Sequence, residues 1–255
     1  MELNRIYNED CLEGMKRIPD GSVDMILCDL PYGTTRNEWD SIIPLESLWV
    51  EYSRVIKENG AIVLTAQTPF DKILGMSNIK QLKYEWIWEK DRPSGHLNAN
   101  RMPMKSHENI LVFYDKPPTY NPQKSVGHKP MNISYGTSDT NNNWGKFEPL
   151  KTIDKRTTRF PRSNLYFNTV NTGHGIIHPT QKPVPLFEYL IKTYTNKNET
   201  VLDNCMGSGT TAIACMNTER NFIGFELDKT YYKKSLERIK NHATQTDIFD
   251  VLEGE

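Results

Sequence analysis

Apolar residues along this chain fall into short runs and helical stripes that alternate from one end to the other. Residues 23–28, interrupted only by Asp24, form an apolar run that stops at turn residues, as a strand buried on both faces of a parallel sheet does. Leu45, Leu48, Trp49, Tyr52, Val55 and Ile56 recur at helical spacing and predict a helix with one core-facing stripe. Asn59-Gly60 is expected to end that helix in the left-handed manner. Residues 61–66 form the next buried strand, and Thr68-Pro69 starts a short helix through Leu74 with proline in its first turn. A short helix over 12–17 precedes the first run and ends at Pro19-Asp20-Gly21. Strands are expected over 84–88, 110–114, 164–167, 200–202 and 222–225, and helices over 184–194, 211–216 and 231–240. The tail after Ala243 reads as frayed. Short buried strands alternating with helices predict an α/β fold with a mostly parallel central sheet and helices on both faces.

Between about 91 and 162 this pattern dissolves into Pro, Asn, Gly, Lys and Arg, and a loop so long in a compact domain is usually functional. Four stretches are expected: a first half over 1–90, an irregular insertion over 91–165, a second half over 166–245, and a flexible tail over 246–255. Charge sharpens the division. The 255-residue chain carries a net −1, yet residues 91–165 hold 12 Lys and Arg against 6 Asp and Glu. That segment is therefore +6 and the remainder −7, a basic surface suited to a polyanion on an acidic body. Arg92, His96, Arg101, Lys105, Lys129, Lys155, Arg156, Arg159 and Arg162 are its candidate phosphate or base contacts. Hydrophobic residues at 37% and charged residues at 25% fit a water-soluble globular protein. No apolar run approaches the roughly 20 residues that span a bilayer, and the first ten residues lack a signal-peptide core. Cys11, Cys28, Cys205 and Cys215 lack metal-ligand spacing and read as reduced thiols of a cytosolic protein, with no metal expected.

Two places carry chemistry. Asp29-Leu30-Pro31-Tyr32 sits where the first buried run ends, and ligand crevices of open α/β sheets lie beyond the carboxyl ends of strands. The carboxylate can accept hydrogen bonds from an exocyclic amino group. Pro31 restricts Leu30 and so sets the direction of its carbonyl, and Tyr32 offers a flat face to a base. The second place is a strand, glycine loop, helix, strand and acid: Gly207, Gly209 and Ala212 match G-x-G-x-x-A, and Glu226 follows about 20 residues on. Read alone, this suits NAD, as in an oxidoreductase, as well as any adenosine cofactor. Asp203 ahead of the glycines would repel a pyrophosphate and attract an ammonium group. His107-Glu108 reads as structural, and Trp86 and Trp88 as packing.

Together these motifs make the sequence resemble β-class amino-group DNA methyltransferases, which use S-adenosylmethionine. Such enzymes place a D/N/S-P-P-Y motif first, a target-recognition region in the middle and an F-x-G-x-G motif near the C-terminus. The resemblance implies a Rossmann-like methyltransferase fold with the basic insertion as target-recognition region, and a flipped base in double-stranded DNA as substrate. It implies that Asp29, Leu30, Pro31 and Tyr32 are catalytic. It further implies that Asp10, Cys11, Asp29, His178, Thr180, Lys182, Pro183, Asp203, Cys205, Gly207, Ser208, Gly209, Thr210, Glu226 and Leu227 bind the cofactor, Glu226 through the ribose. Asp at position 29 resembles the adenine-N6 group, whereas Ser is common in cytosine-N4 members. Family members often form homodimers. Two departures stand out: Leu30 replaces the commoner first proline, and Cys205 or Met206 stands where Phe is usual.

Overall fold

The computed structural model describes residues 1–33, 41–129, 157–170 and 176–253. Its strands are β1 (Arg5–Tyr7), β2 (Val23–Asp29), β3 (Ile56–Ala66), β4 (Leu82–Ser94), β5 (Lys105–Phe113), β6 (Asn164–Phe167), β7 (Thr200–Asp203) and β8 (Asn221–Phe225). Its helices are α1 (Cys11–Met15), α2 (Leu45–Val55), α3 (Phe70–Ser77), α4 (Val184–Tyr194), α5 (Thr210–Asn217) and α6 (Lys229–Glu253). The strands form one sheet in the order β1-β8-β7-β2-β3-β5-β4-β6. Every adjacent pair is parallel except β3/β5 and β5/β4.

β2 explains why the sheet is covered on both sides. Met25 and Leu27 pack into one apolar cluster with α4 and α5 residues such as Leu186, Leu190 and Ala212. Ile26 and Cys28, pointing the other way, pack into a second cluster with Leu48, Tyr52 and Val55 of α2 and Leu74 of α3. A strand buried on both faces cannot alternate apolar with polar, so it reads as a continuous apolar run.

Several boundaries differ from the sequence pattern. Helix α2 stops at Val55, and Ile56 already belongs to β3, paired with Val23. Asn59-Gly60 therefore lies inside a strand and is no helix cap. Gly60 is needed there for space, because an added Cβ would come 2.9 Å from the Asp24 carbonyl and 2.6 Å from the Ile56 side chain. β4 and β5 extend to Ser94 and back from Lys105, so a hairpin, with a shift of register between Glu89 and Ser94, occupies the start of what reads as irregular sequence. Helix α6 continues past Ala243 to Glu253. β1, only three residues long, gave no periodic signal of its own.

The chain forms two compact units, one of residues 1–121 and 163–255 and a second of Pro122–Arg162. Within the second, Ser125 and Arg159 form an antiparallel bridge, Arg159 donates to the Lys129 carbonyl at 2.7 Å, and Lys124 lies over the Phe160 ring.

Candidate active site

The chain runs from β2 to β3 on one side of the sheet and from β7 to β8 on the other. The boundary between β7 and β2 is thus the topological switch point, where crevices open at the carboxyl ends of strands. Ile26 of β2 pairs with Leu202 of β7 in parallel, so Asp29 and Asp203 emerge from the same edge. A cleft of about 900 Å³ opens there and is lined by both.

Asp29 is fixed by three side chains. Its Oδ1 accepts from the Tyr32 hydroxyl at 2.7 Å and from the Thr65 hydroxyl, and its Oδ2 accepts from Lys182 Nζ at 2.6 Å. A carboxylate has about four acceptor directions, so among the described residues one direction on Oδ2 is left. Lys182 also lies 3.3 Å from Glu108 Oε2, and Lys90 donates to Glu108 Oε1 at 2.5 Å. Burial alone would pull the Lys182 ammonium down, but Asp29 and Glu108 outweigh it and raise its pKa. Burial likewise opposes ionisation of Glu108, yet Lys182 and Lys90 hold its carboxyl below the usual range. Two acids and two ammonium groups thus form one neutral cluster at the cleft wall. Glu108, read from sequence as structural, belongs to the site. β5 runs antiparallel to β3, which brings the start of β5 to the edge where the other strands end.

Tyr32 lines the cleft with its ring stacked on Phe70 at a centroid distance of 5.4 Å. Leu30 and Pro31 line the cleft as well, with the Leu30 side chain largely buried. Trp86 and Trp88 are core residues, as their spacing suggests, and Trp88 also reaches the cleft.

The glycine loop forms the facing wall. Gly207 sits at φ 52°, donates its N–H to Glu226 Oε2 at 2.7 Å, and would have only distant neighbours around an added Cβ. Glu226 Oε1 accepts from the Asp228 N–H at 2.8 Å, and burial raises the Glu226 pKa. Asp203 is 3% exposed, accepts from the Thr211 hydroxyl and from the Cys205 N–H at 3.0 Å, and burial pushes its carboxyl up to about 6. Asn204 accepts from the Tyr52 hydroxyl and shares its amide between the sulfurs of Cys11 at 3.6 Å and Cys205 at 3.5 Å. The loop is braced from behind by Arg238 of α6, which donates to the Ser208 carbonyl at 2.9 Å. Nothing in the helical spacing of α6 marked Arg238 for this.

Other candidates divide. Asp10, Cys11, His178, Thr180, Ser208, Thr210 and Leu227 line the same cleft. Asp10 also caps α1, accepting from the Leu12 N–H at 2.8 Å. The His178 ring packs edge-on against Tyr231 at 4.2 Å. Pro183 and Gly209 do not line the cleft; they sit behind it as the N-caps of α4 and α5. Arg92, Arg101, Lys105 and Arg162 are exposed and Arg159 is half-buried, while Lys155 and Arg156 lie outside the described residues. An acid at the end of a neighbouring strand, an open glycine turn and a carboxylate anchored to it together fit an adenosine cofactor bearing an ammonium group.

Comparison with known proteins agrees. The type II methyltransferase M.BglII of Bacillus subtilis is 28% identical over 275 residues, covering 98% of this chain and 72% of that protein. The DNA adenine methyltransferase YhdJ of Escherichia coli is 27% identical over 253 residues, covering 93% of this chain and 83% of that protein. The crystal structure of the M1.HpyAVI–SAM complex superposes with a TM-score of 0.61 at 26% identity, over 92% of this chain and 98% of that one. The cytosine-N4-specific PvuII methyltransferase shares the fold, with a TM-score of 0.64 at 18% identity over 98% of this chain and 93% of that one. The family model described as DNA methylase matches residues 23–237, and the chain belongs to this N6/N4 DNA methylase family.

Proposed function

We infer that this DNA methyltransferase acts on the exocyclic N6 of adenine. The observation carrying the reading is that Asp29, with one free acceptor direction, faces the glycine loop across a single cleft. Asp rather than Ser at this position, and a relative named as an adenine methyltransferase, favour adenine over cytosine.

Its cofactor, S-adenosylmethionine, supplies when bound an electrophilic methyl carbon on a sulfonium. The chain's own residues prepare the nucleophile. An exocyclic amine is weakly nucleophilic because its lone pair is delocalised into the ring. Asp29 Oδ2 accepts one N–H and the Leu30 carbonyl the other, which favours a pyramidal nitrogen with its lone pair directed at the methyl. Tyr32, held by Phe70 behind it, supplies the stacking face for a base taken out of the duplex. The gain comes from positioning and from the negative end of Asp29 near the positive charge that develops on nitrogen. Because Lys182 and Lys90 are balanced by Asp29 and Glu108, the wall presents no net positive charge to oppose it. Asp203 faces the cofactor's ammonium group and Glu226 its ribose.

Sequencing for modified bases in the DNA of a methylation-deficient host expressing the chain tests this reading. N6-methyladenine at one recurrent sequence is expected. N4-methylcytosine would reverse the choice of base, and unmodified DNA would remove the reading.

A further inference from the structure

The β4–β5 hairpin does not end at the cleft. Its last rung pairs Ser94 with Lys105. Ser94 lines the cleft, and Lys105 Nζ donates at 3.1 Å to Gln67 Oε1, another lining residue. The tip, residues 95–104, therefore rises from the cleft rim. It turns at Gly95, in the left-handed region at φ 91°, into a short 3-10 turn over His96–Asn98. Every residue from 92 to 107 is exposed. Leu97, in the middle of the turn, is 89% exposed, the highest value among the described large apolar residues, and Met102 and Met104 are exposed near it.

A single exposed leucine needs no explanation, but this one has a particular setting. Arg92, Arg101 and Lys105 flank it along the chain, and no Asp or Glu occurs between 92 and 107. Such a surface selects a polyanion. In duplex DNA the apolar surface lies within the base stack, where leucine and methionine serve as wedges. A base drawn into the cleft leaves a gap in that stack, beside the rim from which the tip rises.

We propose that Leu97 enters the DNA stack where the target base has left it, with Arg92, Arg101 and Lys105 on the flanking phosphates. The wedge holds the duplex open and slows return of the base. This rests on the reading of the chain as an enzyme acting on a flipped base.

The test is Leu97→Ala with the full chain and S-adenosylmethionine, on three DNAs carrying the site found by sequencing. These are a paired duplex, a duplex with an abasic site opposite the target, and a single strand. The wedge should matter only where a pair must be broken: a loss of about tenfold in rate at saturating paired duplex is expected, with the other two DNAs within about twofold of wild type. Leu97→Met should restore most of the paired-duplex rate. Fluorescence of 2-aminopurine at the target should rise with wild type and less with Leu97→Ala. Equal losses on all three DNAs, or none on the paired duplex, would overturn the wedge and leave the methyltransferase reading standing. Wild type that methylates none of them would overturn the reading beneath it.

Discussion

Asp29 owes its chemistry to charges contributed by three other strands and loops. Lys182 binds its Oδ2, and Glu108 and Lys90 complete the cluster. Asp29→Ala should abolish methyl transfer while S-adenosylhomocysteine affinity, measured by calorimetry, changes little. Glu108→Gln removes one of the two carboxylates that keep the buried Lys182 charged. The Lys182 pKa then falls, since burial is no longer outweighed as fully; below that pKa the cluster carries a net positive charge, so kcat should be depressed there and recover as pH rises through it, a dependence that wild type lacks. A pH–rate profile identical to wild type would separate Glu108 from catalysis. Asp203 works in the opposite sense. Burial raises its carboxyl to about 6, so it is neutral in mild acid and ionised above neutrality. An ionised Asp203 attracts an ammonium group, so S-adenosylhomocysteine should bind more tightly as pH rises from about 5 to about 7.5, and Asp203→Asn should flatten that dependence. The stability sign is reversed: a buried carboxyl with raised pKa favours the fold below its unfolded pKa, and loses that contribution as pH climbs through about 6.

At the scale of elements, the loop between β7 and α5 depends on backbone that only glycine adopts easily. Gly209 caps α5 at φ 78°, and an added Cβ would meet the Ser235 Cβ at 3.3 Å. Gly209→Ala should destabilise the chain by about 1–2 kcal/mol, seen as a lower Tm, even though Gly209 does not line the cleft. The buried strands and both motifs were legible in the sequence because β2, β3, β7 and β8 are apolar runs that end abruptly at charged or turn residues. Three things were not legible. Glu108 stands next to an apolar run and looks like its flank; only the antiparallel pairing of β5 with β3 carries it to the site. Arg238 sits in a polar helix where one arginine resembles another, and its bond to the Ser208 carbonyl is a matter of tertiary packing. Asn59-Gly60 has the composition of a helix stop, but the chain enters β3 before reaching it.

For the molecule as a whole, the order of the strands brings together motifs at opposite ends of the sequence. β2 and β7 are neighbours, so the acid of the first motif and the glycine loop of the second share one cleft. The excess of basic residues between 91 and 165 predicts DNA binding that weakens steeply with salt, the logarithm of affinity falling linearly with that of salt concentration. Arg101→Ala and Lys105→Ala should each lower that slope by about one. The account stands or falls on whether one methyl passes between the two sides of the cleft onto an adenine. Duplex DNA incubated with S-adenosylmethionine and either wild type or Asp29→Ala, then digested to nucleosides and weighed by mass spectrometry, measures this directly. N6-methyladenine from wild type and none from the variant is the expected result; equal methylation by both, or methylation of another atom, would contradict it.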